Sequence, residues 1–239
     1  MKVSRVKRIW KVARVAFLGV ALTGLAGLAA AQGLNASMTY GDARHLLERA
    51  GLGAHPSEID DLLGLTRAQA IDAMVDQLDV SAPFNEPPIS LSDGEHVHYW
   101  MMNDYEEQDR QAFRVERDKE MGELRRWWIR EMLSTSSPAG ERLLLIGSNH
   151  FVSAYSSLNE EVHALYNQHM MLRDKGHGNF RDLLRAVIRD AAMLNYLDNN
   201  NNREEQPNEN LARELLELFV LGEGHYTDKD VKEVARALT

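Results

Sequence analysis

The sequence contains no cysteine, and this absence excludes several kinds of site. Without thiols the chain can form neither a disulfide nor a thiolate metal site. No cysteine follows the apolar N-terminal run either, so anchoring as a lipoprotein is excluded, and no pair of adjacent arginines marks a twin-arginine signal. Convincing period-2 alternation, the pattern of a half-buried strand, is also missing.

The usual catalytic signatures are absent too. The chain has no G-x-S-x-G elbow, no H-E-x-x-H zinc helix, no phosphate-binding P-loop and no G-x-G-x-x-G after a strand. Any chemistry must therefore be argued from individual polar residues and their spacing.

The first 31 residues predict a secretory signal. A basic segment, MKVSRVKRIWKVAR, precedes the apolar run VAFLGVALTGLAGLAAA, and Ala29 and Ala31 supply small residues for cleavage before Gln32. An uncleaved anchor is the alternative, because the apolar run approaches the length that spans a bilayer. We expect an exported protein, periplasmic or extracellular, that meets a membrane only through this segment if it is uncleaved.

The charge balance argues against nucleic acid as a partner. Removing residues 1–31 leaves 21 of the 27 basic side chains against 36 acidic ones, so the net charge falls from −9 to −15. A body this acidic is repelled by nucleic acid and by anionic lipid.

Helical periodicity and capping residues dominate residues 32–239, which predicts one all-α domain of several helices. Ser57, Thr66, Asn179 and Thr227 read as helix caps, and the Pro-rich stretch 81–94 reads as a linker or surface excursion. The pattern from His96 to Ser134 predicts one long helix, or two helices broken near Gly122. The last helical pattern reaches Thr239 without a terminating Gly or Pro, so we expect the domain to be incomplete at its C-terminus.

The stretch PNENLARELLELFVLGEGHYT, residues 207–227, concentrates polar groups on a leucine-rich helix. On an α-helical wheel one apolar arc of about 160° contains Leu211, Ala212, Leu215, Leu216, Leu218 and Phe219. The opposite side contains Glu209, Asn210, Arg213, Glu214 and Glu217. This pattern suits a surface helix with its polar face in water. It equally suits an internal polar site, since carboxylates three residues apart can bind a divalent cation or divide acid and base roles.

Several segments resemble one bacterial family. They are ARHLLERAGLGAHPSEID, NHFVS, GNFRDLL, AMLNYLDN, PNENLARELLELFVLG and YTDKDVKEVARALT, in this order over about residues 42–239. Together they are similar to the family catalogued as domain of unknown function 1800. The resemblance implies an exported, mostly helical protein with no established reaction, longer than this chain. It also implies a neighbouring exported sulfatase-like protein as a possible partner, and a task in the envelope or on polysaccharide.

The chain departs from the family pattern at residues 147–151. Members usually have Trp-His-Asn-His-Phe where this sequence reads Gly-Ser-Asn-His-Phe. Ser148 replaces a histidine, and a hydroxyl is a poorer ligand than imidazole for a transition metal. If a histidine pair were essential, this member would be weakened or inactive. His150 remains, as a site residue or as a structural histidine.

The other polar groups are more simply explained as solvated or structural residues. His96 and His98 lie in a helical context, and His163 and His169 are separated by about 120° around a helix axis. The oxygen-rich loop 198–202 lacks the order of an EF-hand, so a side-chain-capped loop is favoured over a calcium site. His225 completes a turn.

Two functional hypotheses follow. In the first, the protein is a hydrolase-like enzyme for an envelope or extracellular substrate. Glu214, Glu217 and His150 are then catalytic, and the substrate is bound by Asn208, Glu209, Asn210 and Arg213. No cofactor is required, although a divalent metal fits. In the second, the same residues form a buried ion-pair lock in a scaffold that binds another exported protein.

Overall fold

The computed structural model describes residues 33–78, 85–88, 106–158 and 161–239. These ranges contain ten α-helices: α1 Tyr40–Ala50, α2 Pro56–Leu62, α3 Arg67–Asp76, α4 Glu107–Ser134, α5 Pro138–His150, α6 Val162–Lys175, α7 Phe180–Val187, α8 Ala191–Tyr196, α9 Asn210–Glu214 and α10 Asp228–Ala237. They also contain 3₁₀ turns at Tyr155–Ser157 and Asn199–Asn201, and a π-helical segment, Leu215–Val220.

The all-α prediction is confirmed. In the same ranges β-structure is limited to two isolated bridges, Ser37 with Thr66 and Arg203 with Gln206. None of the helices described is both long enough and apolar enough to cross a bilayer.

Most of the predicted helix starts are found where the capping residues lie. Thr66 accepts a hydrogen bond from the backbone of Gln69, whose side chain accepts one from the backbone of Thr66. Thr227 and Asp230 form the same reciprocal box, and Asn179 caps α7 through the Arg181 N–H at 2.9 Å. Such caps satisfy backbone donors that the first helical turn leaves without partners.

The prediction that Ser57 caps a helix is wrong. Helix α2 begins at Pro56, two residues before the start that a Ser57 cap would give, and its cap is His55. The backbone of His55 donates to Glu58 at 3.0 Å, and the Ser57 hydroxyl contacts Nδ1 of the His55 ring at 2.8 Å. Pro56 favours this start because its fixed φ suits the first helical position and its missing N–H would have no helical partner there.

The described residues fall into two compact units. The N-terminal unit comprises residues 33–78 and 132–143, and its core includes Ala43, Leu47, Ile59, Ala70 and Met74. The C-terminal unit comprises residues 85–88, 106–131, 144–158 and 161–239. Its largest core cluster includes Phe151, Leu172, Val187, Met193 and Leu211.

Helix α4 runs for 28 residues without a break at Gly122, about 42 Å at 1.5 Å per residue. Buried Trp127 and Glu131, one turn apart on this helix, hold the backbone of Asn85. The indole Nε1 donates to the Asn85 carbonyl at 2.9 Å, and the Asn85 N–H donates to the Glu131 carboxylate at 2.7 Å.

Some predictions fall outside the described residues. These are the signal segment 1–31, most of the excursion 81–94, and the start of the long helical pattern, with His96 and His98.

Candidate functional site

The polar stretch of the sequence forms an α-helix that widens into a π-helix. Helix α9 occupies five residues, and the π segment Leu215–Val220 continues it. The Leu221 N–H donates to the Leu216 carbonyl, five residues earlier, at 2.9 Å. Gly222 then ends the element with a φ of +84°, a backbone conformation that glycine adopts without steric cost.

The π segment corrects the predicted apolar arc. Leu211 and Ala212 are fully buried and Phe219 is buried, as the wheel predicted. Leu218, placed in the same arc by α-helical spacing, is 59% exposed. A π turn holds more residues than an α turn, so side chains beyond Leu215 point in directions that a wheel of 3.6 residues per turn does not give.

The start of α9 is fixed by asparagine side chains. The Asn208 side chain accepts from the Asn210 N–H at 2.9 Å and donates to the Asp198 carbonyl at 2.9 Å. The Asn208 N–H donates to the Asn202 side chain at 2.8 Å. Asn208 therefore positions the helix with both ends of its amide. The exposed side chain of Asn210 makes no hydrogen bond within the described ranges.

Arg213 joins α9 to the start of α10. Its guanidinium lies 3.2 Å from the Glu209 carboxylate, one turn earlier, and 3.6 Å from the Asp228 carboxylate. The exposed fractions of these side chains are 40% for Arg213, 37% for Glu209 and 84% for Asp228. The lock that the sequence suggested inside the protein is thus at its surface, where an ion pair contributes little to stability.

Glu217 is bound to a residue of the following turn. The Tyr226 hydroxyl donates a short hydrogen bond to Oε2 of Glu217. This bond is the largest of the causes that raise the pKa of Tyr226. The nearby charge of Arg213 lowers the pKa of Tyr226. Arg213, Glu217 and Tyr226 therefore share one electrostatic environment.

We call Glu209, Arg213, Glu217, Tyr226 and Asp228 the Arg213 cluster. Three of its members were predicted as site residues. Tyr226 and Asp228 were missed because they lie beyond the polar helix, on either side of the Thr227 cap. The signal that could have found them is the short spacing in sequence between PNENLARELLELF and the YTDKD motif.

Glu214 and His150 stand apart from this cluster. Glu214 is partly exposed and makes neither an ion pair nor a hydrogen bond with any described residue. His150 Nε2 donates to the Phe219 carbonyl at 3.1 Å, because a carbonyl can only accept. The ring also meets Phe151 and Phe219 edge to face. The structure thus brings His150 to the end of the π segment.

The residue that departs from the family pattern lies on a helix. Ser148 and His150 are both in α5, so positions 148 and 150 are separated by about 200° around its axis. Two histidines at these positions would not face a common metal ion. The serine therefore does not remove half of a joint ligand pair in this chain.

The ranges that the structure covers contain no candidate metal site. No three of the His, Asp and Glu side chains described there converge as a metal site would require. Asn202, in the oxygen-rich loop, donates to the Ala235 carbonyl at 3.1 Å and accepts from Asn208. The Asn202 amide is therefore engaged in structure, which favours the capped-loop interpretation.

Two further histidines lie in the core, and a third lies in an exposed turn. His163 and His169 are buried on α6, and the His169 ring lies edge to face with Trp127 and Trp128, with centroids 5.2 and 4.8 Å away. Burial lowers the pKa of His169 to about 3, so the ring is neutral at physiological pH. His225 is exposed in the turn after Gly222.

Comparison with known proteins gives one match. Residues 45–239 match the family described as Protein of unknown function (DUF1800). No curated protein and no solved structure matches the chain. The family match covers most of the sequence and includes the polar stretch, α10 and the turn between them, so the chain belongs to the DUF1800 family.

Proposed function

We propose that this protein is an exported, hydrolase-like enzyme that acts on an envelope or extracellular polymer through the Arg213 cluster. One observation carries the proposal: the carboxylate of Glu217 is oriented by the hydroxyl of Tyr226, and the charge of Arg213 is close enough to act on that same phenol. An oriented carboxylate can act as a general base, and a nearby cation can bind an anionic group of the substrate.

The acid and base roles fall to two glutamates. Tyr226 occupies Oε2 of Glu217, which leaves Oε1 to accept a proton from a water molecule. The resulting hydroxyl attacks the carbon of a glycosidic bond. Glu214, one turn earlier, would serve as the general acid for the leaving oxygen. Each cleavage thus adds one water across one bond; Glu217 gains a proton from that water, Glu214 gives one to the leaving group, and exchange with solvent restores both groups.

The other predicted residues would bind the substrate. Arg213 would exchange its exposed ion pairs with Glu209 and Asp228 for a carboxylate or sulfate group of the polymer. The exposed amide of Asn210 is available for sugar hydroxyls, whereas Asn208 would act through the helix that it positions. His150 would keep the end of the π segment in place through the Phe219 carbonyl.

The exposure of the cluster favours a polymer over a small molecule. Small ligands are usually enclosed in concave pockets, whereas the ion pair at Arg213 lies half exposed at the surface. An extended anionic polysaccharide can use such an open surface, because neighbouring residues of the polymer add contacts.

The substrate test uses alginate, polygalacturonate and dextran sulfate, with neutral dextran as the uncharged comparison. We expect new reducing ends from at least one anionic polymer. Arg213→Gln should raise KM for that polymer about tenfold. Arg236→Gln is the matched control, because Arg236 makes an exposed ion pair with Glu233 on α10. Absence of cleavage with all three anionic polymers, or equal KM values for the two variants, would contradict the proposal.

A second candidate is a non-catalytic partner of another exported protein. It is favoured by three exposed apolar side chains, Leu218, Val220 and Leu221, because an apolar centre with a charged rim is typical of a protein interface. The proposed partner is a sulfatase-like exported protein with a basic rim. Leu218→Ser with Leu221→Ser should abolish co-purification with it. Retained co-purification would remove this candidate.

A further inference from the structure

The N-terminal unit contains a cavity that belongs to neither functional hypothesis. It lies between α1 and α3 and has a volume of about 370 Å³, within the range of small-molecule sites. Asp42, Leu46 and Arg49 line it from α1, and Ile71 and Met74 from α3. Each helix contributes residues spaced by three or four positions, so one face of each helix forms a wall.

The walls are mostly apolar and suit a flexible hydrocarbon chain. Met38, Met74 and Val75 are buried, and the partly buried Leu46 and Ile71 complete the lining. Unbranched thioether side chains adapt to irregular apolar ligands. The lining has no Phe, Tyr or Trp ring, which favours an alkyl chain over a planar ring system.

The charges at this cavity have the opposite sign to the whole protein. Arg67 binds both oxygens of the Asp42 carboxylate, at 3.1 and 3.0 Å. Hydrogen bonds from Thr39 and then from Arg67 lower the pKa of Asp42, so this pair is neutral overall. Arg49 and His45 also line the cavity and make no ion pair or hydrogen bond in the parts of the chain that the structure covers. The Arg49 charge is therefore uncompensated, in a chain whose net charge is −9.

The neighbouring acid on α1 does not compete for Arg49. Glu48 lies one position earlier, on another side of the helix, and pairs with Arg44 at 2.7 Å. The cavity thus combines an apolar interior with one available cation at its edge.

We infer that this cavity binds a single-chain anionic amphiphile of the fatty carboxylate class, with the alkyl chain between α1 and α3 and the carboxylate at Arg49. The inference goes beyond the proposed hydrolase function. It concerns a different unit of the chain and does not depend on the Arg213 cluster.

Calorimetric titration of the full chain with decanoate tests this inference. Decan-1-ol and decyltrimethylammonium serve as neutral and cationic comparisons, all below their micellar concentrations. We expect decanoate to bind most tightly and decyltrimethylammonium most weakly. Equal affinity for all three compounds, or no binding of decanoate, would overturn the inference.

Two variants locate the site. Arg49→Gln should weaken decanoate binding about fivefold, the effect of one exposed ion pair, and should leave decan-1-ol binding unchanged. Arg44→Gln, on the same helix but outside the cavity, is the matched control. Ile71→Trp should fill the cavity and reduce the affinity for both ligands. Because Arg49 is exposed, its variant should fold even if Ile71→Trp does not. Unchanged decanoate affinity in Arg49→Gln would overturn the inference by itself.

Discussion

The Tyr226 hydroxyl donates a hydrogen bond to the Glu217 carboxylate across nine positions of sequence. The π segment and the turn at Gly222 lie between them, so the contact depends on the widened helix and on the glycine that ends it. This relationship turns a polar helix face into an arrangement with a fixed carboxylate, and the proposed chemistry rests on it.

The Glu217–Tyr226 bond should be visible in the ionisation of the phenol. The bond raises the pKa of Tyr226 above its ordinary value of 10.0. Its contribution to stability is therefore present below pH 10 and is lost as the pH rises through the folded-state pKa. We expect Glu217→Gln to lower the pKa of Tyr226. Carbon-13 NMR titration of ring-labelled tyrosine measures it, with Tyr226→Phe to assign the signal.

Glu205→Gln is the control for that titration, because Glu205 is exposed in the preceding loop and makes no contact with Tyr226. A Tyr226 pKa that is the same in wild type and Glu217→Gln would show that the bond is not formed in solution.

His169 should make the free energy of unfolding depend on pH below its ordinary pKa of 6.5. Its folded-state pKa of about 3 lies below the ordinary value of 6.5, so the unfolded state binds the proton first and stability falls as the pH falls from 6.5 towards 3. Between pH 7 and 5 this one group should cost about 2 kcal/mol. In His169→Phe that part of the loss should disappear.

Urea unfolding of wild type and His169→Phe at pH 7 and pH 5 measures this difference. The comparison of the two proteins is needed because burial raises the pKa values of Glu120 and Asp190, and these groups act with the opposite sign. An identical pH dependence for both proteins would contradict a buried neutral His169.

Asn202 should be essential for the loop before α9. Its side chain donates to the Ala235 carbonyl and accepts from the Asn208 N–H. Asn202→Ala leaves these backbone groups without partners, which should cost about 2 kcal/mol. Asn201→Ala, one residue earlier and exposed, should be nearly neutral. Chemical denaturation measures both, and equal effects would show that the asparagines are merely solvated.

Helix α4 contains an ion pair that is almost buried. The Arg117 guanidinium and the Glu120 carboxylate are 2.8 Å apart, with 11% and 7% of their side chains exposed. Arg117→Leu leaves the Glu120 charge uncompensated and should destabilise the protein by about 3 kcal/mol. The double variant Arg117→Leu, Glu120→Leu should recover most of that loss. Thermal denaturation compares them, and no recovery in the double variant would contradict this account.

The helical fold was predictable because its signals are local. Thr66, Asn179 and Thr227 cap helices within three residues of sequence, and Pro138 begins α5. The Ser57 cap was predicted wrongly because His55 performs the same role through its ring nitrogen. That use of histidine has no strong sequence signature.

The site was predictable only in part because its contacts are not local. Arg213 and Glu209 lie one turn apart and were visible on a helical wheel. Tyr226 was not, because its approach to Glu217 depends on the π segment. The exposure of Leu218 was missed for the same reason, since a regular α-helix was assumed. Whether Glu214, Glu217 and His150 act in catalysis remains a prediction.

The most direct test of the central claim is the rate at which reducing ends are released from the anionic polysaccharide that wild type cleaves. Wild type, Glu217→Gln and Glu205→Gln should be compared at equal concentration, after their melting temperatures have been measured and found equal. Loss of a general base should slow Glu217→Gln at least about a hundredfold, and Glu205→Gln should match wild type. Equal rates for wild type and Glu217→Gln would contradict the account.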